Sequence, residues 1–299
     1  MKALVIGAPG QVGRALMRLT ETAGLEPVGT YRSRPHPNML PLDVTDHAAV
    51  ADTIAKVRPA VVFLTAALTA VDYCEDHVDE AWAINVHGPE AVARASSSVG
   101  AKLVFYSTEY VFDGTAGPYS EDDPICPQGA YARSKAEGER AVLAATDDAI
   151  IARTTVVFGW DPTSKNFGMQ VWERLSAGER MRVPSDQISN PTLADFLALA
   201  TIILAQGDVR GVVNVVGRDR VARSDFAIRL AERLGLDAGL IDPISTAELK
   251  QVAPRPLNAG LRTDKLAELL GRPAISLDEA IDTFAHRSRV AAQGPLGAA

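Results

Sequence analysis

The chain has 299 residues, of which 22% are charged and 47% hydrophobic, and its formal net charge is −7. A chain of this length and composition can bury a large core as one domain or as two. Its acidity argues against a surface that tracks the phosphates of DNA or RNA, so we expect no nucleic-acid partner.

The first ten residues read MKALVIGAPG, an apolar stretch too short and too soon interrupted for a signal peptide or a membrane span. The sequence therefore predicts a cytoplasmic location and no membrane partner. The cysteines, Cys74 and Cys126, lack the spacing of a metal site or a redox pair, so we expect reduced thiols. The histidines show no ligand spacing either, and no metal is expected.

Apolar runs of strand length alternate with longer amphipathic segments through the first half of the chain. The runs are ALVIG, EPVGTY, AVVFLTAA, KLVFYS and AIIART. This alternation predicts an α/β fold of the Rossmann type, a doubly wound parallel sheet with helices on both faces. Thr45 precedes the helical segment DHAAVADTIAKV and is predicted to cap it, with Asp46 in the first turn.

A glycine-rich loop follows the first run and opens the first helix, in the segment VIGAPGQVGRALMRL. The pyrophosphate of a dinucleotide needs a tight turn, a backbone that approaches closely, and free N–H groups at a helix N-terminus. Turn formation alone is the alternative interpretation. The position of the loop at the start of an alternating β/α chain favours a dinucleotide cofactor bound by Gly7, Gly10, Gln11, Val12 and Gly13.

The end of the second run indicates which dinucleotide binds. A site specific for NAD usually offers an acidic residue to the ribose hydroxyls about 20 residues beyond the glycine loop. This chain reads VGTYRSRP, with the neutral Thr30 followed by the cations Arg32 and Arg34. A cation suits a 2′-phosphate, so we expect NADPH with Arg32 as a ligand and NADH as the alternative. Two arginines at a solvated corner would give the same pattern.

Two further segments extend the predicted cofactor site. The segment LDVTD carries Asp43 and Val44, which are placed to meet the adenine edge. The segment FLTAALTAVD carries Ala66 and Ala67 at a strand end. Small side chains there let the backbone pack against the cofactor, so all four residues are predicted to bind it.

The segment YARSK places Tyr131 and Lys135 where a loop rich in proline, glycine and aspartate turns into a helix-forming run. Four residues on a helix make about one turn, so both side chains emerge on one face. Hydride transfer to a ketone leaves an alkoxide that needs a proton, which Tyr131 can give. The Lys135 ammonium is expected to lower the phenol pKa from about 10. An amphipathic helix with a surface lysine is the alternative.

The pattern changes after about residue 160, where proline-containing loops separate the helices. We predict a dinucleotide-binding domain over residues 1–160 and mainly a smaller substrate-binding lobe over 161–290. Some segments of this lobe are expected to return to the first domain. The low-complexity tail, 291–299, is predicted to be disordered.

Several motifs occur in a familiar order from about residue 2 to about residue 270. They are GAPGQVG, ALTAVDYCED, AWAINVHGPEAVARA, YSTEYVFDG, PYSEDDPICPQGAYARSKAEGERAV, IARTTVVFG, SDQISNPT and RPLNAGL. With these motifs the chain resembles the extended short-chain dehydrogenase/reductase superfamily. Within that superfamily it is most similar to the dTDP-4-dehydrorhamnose reductase family.

The resemblance implies NADPH-dependent reduction of a 4-keto-6-deoxy nucleotide sugar. The family's catalytic residues map onto Thr108, Tyr131 and Lys135. Thr108 would then hydrogen-bond the substrate carbonyl, and Lys135 would also hold the nicotinamide ribose and bind the cofactor together with Tyr131. The substrate-binding residues carried over from the resemblance and the substrate lobe are Thr69, Val71, Thr108, Tyr131 and Arg255.

Some of these positions keep a structural alternative. Thr69, Val71 and Asp72 would also fit a loop with a helix cap. Substrate contact and simple loop structure fit Asp186, Gln187 and Arg255 equally well. Asn85, in INVHG, fits either a structural role or a proton relay.

The chain departs from the family pattern at two positions. Glu109 stands where the family usually has an aspartate, which is a mild change. Val156, in RTTVVFG, replaces a tryptophan that packs on the sugar in the family. This replacement leaves the identity of the sugar open but does not affect the prediction of keto reduction.

Two other functions remain compatible with the motifs. The chain could act on another carbonyl, or epimerise a nucleotide sugar with tightly held NAD. The family also resembles the regulatory β subunit of methionine adenosyltransferase, so a non-catalytic NADP-binding subunit is the third interpretation. A homodimer is compatible with the sequence.

Overall fold

The computed structural model of the protein describes residues 1–292. Its strands are β1 Lys2–Ile6, β2 Glu26–Tyr31, β3 Met39–Pro41, β4 Val61–Leu64, β5 Lys102–Thr108, β6 Ala149–Thr154, β7 Val157–Phe158, β8 Met181–Pro184, β9 Ile188–Ser189, β10 Thr192–Leu193, β11 Gly211–Asn214, β12 Val221–Ala222 and β13 Ile241–Ile244.

Helices connect these strands and cover the sheet. They are α1 Gln11–Thr22, α2 His47–Val57, α3 Val71–Asp76, α4 Val78–Trp82, α5 Gly88–Val99, α6 Gly129–Ala145, α7 Phe167–Ser176, α8 Ala194–Gln206, α9 Arg223–Leu234, α10 Thr246–Leu249, α11 Asp264–Leu270 and α12 Leu277–Ala292. A π-helical turn, Ala83–His87, joins α4 to α5, and 3₁₀ turns span Glu109–Val111 and Ala238–Leu240. None of the described helices is long and apolar enough to cross a membrane.

Seven parallel strands form the central sheet in the order β11-β6-β5-β4-β1-β2-β3. The chain starts at β1, winds outward through β2 and β3, and then returns to β4 and winds the other way. The strand order therefore reverses between β1 and β4. In sheets of this kind, ligands bind beyond the carboxyl ends of the strands at such a switch point. The predicted doubly wound Rossmann-type fold is confirmed.

The central strands are buried on both faces, which explains why their sequences are continuously apolar. Val5 of β1 and Phe63 of β4 belong to the core on one side of the sheet. Leu4 and Leu64, which alternate with them, belong to the core on the other side. Helix α1 packs with α8, and α2 packs with α5.

The second half of the chain returns to the sheet before it completes a smaller lobe. Strand β11 pairs with β6 as the seventh strand. The remaining short strands form the pairs β10–β7, β12–β9 and β13–β8. The division into domains at residue 160 stays a prediction. The predicted disordered tail, 291–299, lies outside the described residues except for its first two, which are the last residues of α12.

Helix α2 is capped by a different residue from the one predicted. Its N-cap is Asp46, whose carboxylate accepts a hydrogen bond of 3.0 Å from the Ala49 N–H. The Thr45 hydroxyl instead donates to the carboxylate of Asp43 at 2.8 Å. Thr45 therefore stabilises the turn before the helix, and Asp46 satisfies one of the free N–H groups of the first turn.

Candidate active site

The glycine loop after β1 is packed too closely for side chains. Gly7 has a φ of +90°, and a Cβ there would lie 2.8 Å from the Ala66 nitrogen. A Cβ on Gly13 would lie 2.4 Å from the Gly7 carbonyl oxygen. Gly10 caps α1 without a side chain, and the Gln11 Nε2 is buried without a hydrogen-bond partner. The loop therefore fits a pyrophosphate, which would meet free donors and little steric hindrance.

The end of β2 supports this loop and then leads to the two arginines. The Thr30 side chain is fully buried, and its hydroxyl accepts a hydrogen bond of 3.4 Å from the Gly7 N–H. Arg32 and Arg34 are exposed and form no ion pair with a carboxylate of residues 1–292. Thr30 thus holds the loop in place, while both guanidinium groups are available to an external anion.

The residues predicted for the adenine side and the β4 end differ in their surroundings. The Asp43 carboxylate accepts hydrogen bonds from the Thr45 N–H at 3.0 Å and from its hydroxyl. Val44 is buried in the core, and the Ala66 N–H donates to the carbonyl of the β1 end. Of these residues, Ala67 reaches the cavity described below.

Helix α6 begins two residues before the YARSK segment, and a side chain from α3 accepts one of the free N–H groups at its N-terminus. Gly129 has a φ of +79°, and Glu75 of α3 accepts the Ala130 N–H at 2.8 Å. An acid at a helix N-terminus interacts favourably with the helix dipole. Tyr131 and Lys135 therefore lie on one helix, as predicted, and both are buried.

Asn85 connects α6 to the loop after β4. Its Oδ1 accepts the Leu68 N–H at 2.9 Å, and its Nδ2 lies 3.0 Å from both the Leu68 carbonyl and the Ser134 hydroxyl. A Cβ on Gly138 would lie 2.2 Å from the Asn85 carbonyl oxygen, so α6 packs directly on the π-helical turn. Of the two predicted roles, these contacts favour the structural one.

A cavity of about 530 Å³ lies between the glycine loop and α6. This volume suits a small-molecule site. The cavity brings together the predicted residues Gly10, Gln11, Val12, Gly13, Ala67, Thr69, Val71, Thr108, Tyr131 and Lys135. The predicted residues that do not line it are Gly7, Arg32, Asp43, Val44, Ala66 and Arg255.

Tyr131 is 8% exposed and packs edge-on against the Tyr110 ring, with 5.8 Å between the centroids. Burial, and after it the charge of Glu109, raises the pKa of Tyr131 above its ordinary value, while the Thr108 hydroxyl acts in the opposite direction. We predicted a lowering by Lys135, and the net shift is the reverse because burial dominates. The phenol is protonated at neutral pH, as an unshifted phenol would also be, and burial makes it a weaker acid.

Lys135 is 2% exposed and is held at two points. Its Nζ donates to the Tyr106 carbonyl oxygen at 2.7 Å and lies 4.0 Å from the centroid of the Phe105 ring. Burial lowers the pKa of Lys135 to about 7, and the carboxylate of Glu139 opposes that shift. The charge of this lysine is therefore sensitive to its surroundings.

Glu109 is a buried carboxyl beside the catalytic candidates. It is 5% exposed, and its Oε2 accepts a hydrogen bond of 3.0 Å from the Thr108 hydroxyl. Burial raises the pKa of Glu109 to about 7, although hydrogen bonds from its own backbone N–H and Thr108 and the charge of Arg223 lower it. This group therefore changes charge near neutral pH within the cavity wall.

Val156 lines the cavity where the family pattern has a tryptophan. Its φ is 26°, in the left-handed region that a β-branched residue rarely adopts. Its carbonyl accepts the Thr192 N–H at 3.2 Å, a contact that helps to hold this conformation. The smaller side chain leaves more room at this wall than a tryptophan would.

The predicted residues of the substrate lobe mainly join its segments. The Arg255 side chain is 8% exposed and pairs with Asp72 at 2.9 Å. The Asp186 carboxylate accepts the Thr246 N–H at 2.9 Å, and the Gln187 Nε2 donates to the Thr246 hydroxyl at 3.0 Å. Loop structure is therefore the better supported of the two predicted alternatives.

Sequence reasoning missed several residues of the cavity wall, notably Tyr106, Leu197 and Arg223. Arg223 begins α9, far along the chain from the other wall residues. An arginine at the start of an amphipathic helix is typical of an exposed position, so the sequence held no signal for it. Only the fold brings it to the cavity.

Comparison with known proteins places the whole of this site within one family. A family model described as the RmlD substrate binding domain matches residues 1–290. The dTDP-4-dehydrorhamnose reductase of Mycobacterium tuberculosis is 38% identical over 271 residues, which cover 88% of this chain and 86% of that protein. A probable dTDP-4,6-dihydroxy-2-methyloxan-3-one 4-ketoreductase of Streptomyces antibioticus is 34% identical, with 89% and 88% covered.

A solved structure shows the same fold over nearly the full length. It is a dTDP-4-dehydrorhamnose reductase of Bacillus anthracis in complex with NADP, with a TM-score of 0.88 and 28% identity. The similarity covers 96% of this chain and 100% of that chain. Both the glycine loop and α6 therefore fall within the compared region.

Proposed function

The chain belongs to the RmlD substrate binding domain family, and we propose that it is an NADPH-dependent oxidoreductase that reduces the 4-keto group of a 6-deoxy nucleotide sugar. The observation that carries this proposal is that Thr108, Tyr131 and Lys135 line one cavity together with the glycine loop. The names of the relatives from M. tuberculosis and S. antibioticus support the substrate class, and the B. anthracis complex supports NADP as the cofactor.

The residues proposed to hold NADPH lie on two sides of the cavity and, in the case of Arg32, outside it. The N–H groups of Gln11, Val12 and Gly13 at the start of α1 would receive the pyrophosphate, and the exposed Arg32 would receive the 2′-phosphate. Lys135 donates once to the Tyr106 carbonyl, so its other N–H groups are free for the ribose hydroxyls. When bound, NADPH supplies the hydride that reduces the carbonyl carbon.

Tyr131 is proposed to give the proton that the reduced oxygen needs. Its phenol is protonated at neutral pH, and because burial raises its pKa, the proton leaves only when the phenolate is stabilised. The Lys135 ammonium would then stabilise the phenolate that remains. In this way Tyr131 would supply the proton, and Lys135 would stabilise the negative charge that remains on the tyrosine oxygen.

Thr108 is proposed to orient the substrate carbonyl, and Glu109 determines how it can do so. The Thr108 hydroxyl donates to the Glu109 carboxylate, which uses its only proton. When Glu109 is protonated, near or below its pKa of about 7, it can donate to Thr108 instead. The Thr108 hydroxyl is then free to hydrogen-bond the carbonyl oxygen.

The sugar itself is proposed at the level of a class. Thr69 and Val71 line the cavity and would contact the sugar, together with Val156. Because Val156 is small, the site can take sugars that differ in shape from the one a tryptophan would pack against. The S. antibioticus relative, named for a different sugar from the M. tuberculosis enzyme, supports this breadth.

A panel of 4-keto-6-deoxy nucleotide sugars, starting with dTDP-4-dehydrorhamnose, tests the proposal. Loss of NADPH absorbance, with one alcohol formed per NADPH oxidised, is expected for at least one member. Copurified NAD with interconversion of sugars and no net oxidation would instead support the epimerase. Tight NADPH binding without any carbonyl substrate, together with a stoichiometric enzyme partner in a pulldown, would support the regulatory subunit.

The assembly and the location stay predictions. Light scattering of the purified chain would test the homodimer. Localisation of a tagged chain would test the cytoplasmic assignment.

A further inference from the structure

The cavity wall holds two cations, Lys135 and Arg223, among the described residues. Lys135 is committed to the Tyr106 carbonyl and to the proposed cofactor side. A nucleoside diphosphate sugar carries negative charge on its phosphates, and a nearby guanidinium stabilises such a ligand through charge-assisted hydrogen bonds. Arg223 is the wall cation that the proposed chemistry leaves unused.

The surroundings of Arg223 show a guanidinium that is oriented but not paired. Its Nε is buried and has no hydrogen-bond partner among the described residues. Its Cζ lies 5.3 Å from the centroid of the Phe167 ring, a distance at which a cation–π contact fixes its direction. A buried donor without an acceptor is costly, which a ligand oxygen would relieve.

The titratable groups near Arg223, Glu109 and Tyr110, do not form an ion pair with its guanidinium. Glu109 is near enough for Arg223 to lower its pKa, but the buried carboxyl keeps a raised pKa and accepts its hydrogen bond from Thr108. The phenol of Tyr110, also in the wall, is affected by Arg223 in the same direction. Neither group forms an ion pair with it within residues 1–292.

The other arginine that the sequence favoured is already engaged. Arg255 pairs with Asp72 at 2.9 Å and donates to the Ala253 carbonyl at 3.0 Å, with 8% of its side chain exposed. It does not line the cavity. To bind a ligand, the Arg255 side chain would have to break its ion pair with Asp72 and its hydrogen bond to Ala253. The Arg223 guanidinium would instead gain its first hydrogen-bond acceptor.

We infer that Arg223 binds the diphosphate of the nucleotide-sugar substrate and so selects nucleoside diphosphates over uncharged nucleosides. The inference rests on the proposed function for the class of substrate. It assigns the specificity for charge to the first residue of α9, on the substrate lobe. The sugar then lies between this anchor and Tyr131.

Binding of dTDP and of thymidine to the NADP-loaded protein, measured by titration calorimetry, tests the inference without turnover. Charge-assisted hydrogen bonds of about 1.5 to 3 kcal/mol correspond to roughly ten- to hundredfold in affinity. Arg223→Gln should lose that factor for dTDP and leave thymidine binding unchanged. Arg223→Lys should recover part of it, because a lysine keeps the charge without the fork.

Two matched variants complete the test. Arg229→Gln, on the same helix and paired with Asp278 at the surface, should bind dTDP like the wild type. A wild-type ratio of dTDP to thymidine affinity in folded Arg223→Gln would overturn the inference. The second matched variant is Arg255→Gln. The inference would also be overturned if Arg255→Gln lost the preference for dTDP over thymidine while Arg223→Gln kept it. A wild type that binds dTDP and thymidine equally well would overturn it too.

The outcome is separable from that of the proposed function. If the wild type reduces no 4-keto nucleotide sugar but Arg223→Gln still loses dTDP selectively, the reductase proposal fails and the anchor stands. If turnover occurs but dTDP binding is independent of Arg223, the anchor fails and the reductase stands. A shift of the pH profile near 7 without loss of dTDP affinity would make Arg223 only a neighbour of Glu109, which also overturns the inference.

Discussion

Lys135 and Glu139 lie one turn apart on α6, and the Glu139 carboxylate raises the pKa that burial lowers in Lys135. The same carboxylate pairs with Arg153 at 2.8 Å, and both side chains of that pair are 5% exposed. It also accepts a hydrogen bond from the Ser107 hydroxyl at the end of β5. Glu139 therefore couples the charge of Lys135 to a buried ion pair between α6 and β6.

Glu139→Gln should lower the pKa of Lys135 further below about 7, because the negative charge that opposes burial is gone. The ammonium is present below its pKa and is lost as the pH rises through it. The descending limb of kcat/KM against pH that reflects Lys135 should therefore move to lower pH. Steady-state kinetics across the pH range would measure this shift.

Glu139→Gln also leaves the buried Arg153 without its partner, and this loss by itself is expected to cost about 3 to 5 kcal/mol in the free energy of unfolding. Two variants serve as controls. Glu139→Asp keeps the charge and should keep the limb closer to its wild-type position. Glu137→Gln removes a half-buried carboxylate of the same helix, paired with the exposed Arg140, and should change neither the limb nor the stability greatly. An unshifted limb in folded Glu139→Gln would contradict the coupling.

Glu109 should make the protein less stable as the pH rises through the neutral range. Burial raises its pKa from 4.5 to about 7, so between these values the folded state binds more protons than the unfolded state. The free energy of unfolding then falls with increasing pH, by up to about 3 kcal/mol for a shift of this size. Urea unfolding of the wild type and of Glu109→Gln at several pH values measures the difference.

In Glu109→Gln this contribution is absent, so the two stability curves should diverge across the window from pH 4.5 to about 7. The wild type should lose stability relative to the variant as the pH rises. Curves that stay parallel would show that the carboxyl ionises normally in the folded protein. The interpretation of Thr108 as a donor switched by Glu109 would then lose its basis.

Arg32→Ala should weaken NADPH binding and leave NADH binding nearly unchanged, because only NADPH carries the 2′-phosphate. A charge-assisted hydrogen bond is worth about 1.5 to 3 kcal/mol, or roughly ten- to hundredfold in affinity. Fluorescence titration with both cofactors would measure the change. Lys56→Ala is a suitable control, since this exposed residue near the end of α2 leads to the amino end of β4, whereas Arg32 follows the carboxyl end of β2. Equal losses for both cofactors would contradict the assignment.

The sheet could be predicted from the sequence where local composition determines it. The runs EPVGTY and AIIART match β2 and β6 at both ends. For β6 the reason is that a buried parallel strand leaves a continuous apolar segment with a polar boundary. Strand β11 was missed. Its four residues are too short to show a pattern, and its place beside β6 depends on pairing over a long separation in the chain.

The wall of the cavity was predictable in the glycine loop and at α6, where the motifs lie on one continuous segment. Tyr131 and Lys135 share a helix, and the glycine loop follows β1. The substrate side was predictable only in part. Thr69 and Val71 line the cavity, as the sequence suggested, but other wall residues come from distant segments that only the fold joins. The sequence predicts Arg255 as a substrate ligand, but its side chain pairs with Asp72. Arg223 gives no local signal in the sequence, and yet it lines the cavity.

The phenol of Tyr131 carries the proposed chemistry, and Tyr131→Phe isolates it. The substitution keeps the ring and therefore its edge-on contact with Tyr110. It removes only the proton donor. General acid catalysis contributes about 10²- to 10⁴-fold, so kcat should fall by that order while NADPH affinity changes little. Turnover of an accepted keto sugar and a separate fluorescence titration with NADPH would measure the two quantities.

Tyr106→Phe is the matched control, because it removes the hydroxyl of another buried tyrosine of the same cavity wall. That hydroxyl bonds the Thr201 side chain of α8 at 2.7 Å, so its loss should cost about 1 kcal/mol of stability. It should leave kcat nearly unchanged, because the Tyr106 group that meets Lys135 is its carbonyl. Wild-type turnover by Tyr131→Phe would mean that the buried pair on α6 is structural, and the proton would then have to come from Glu109 or from water.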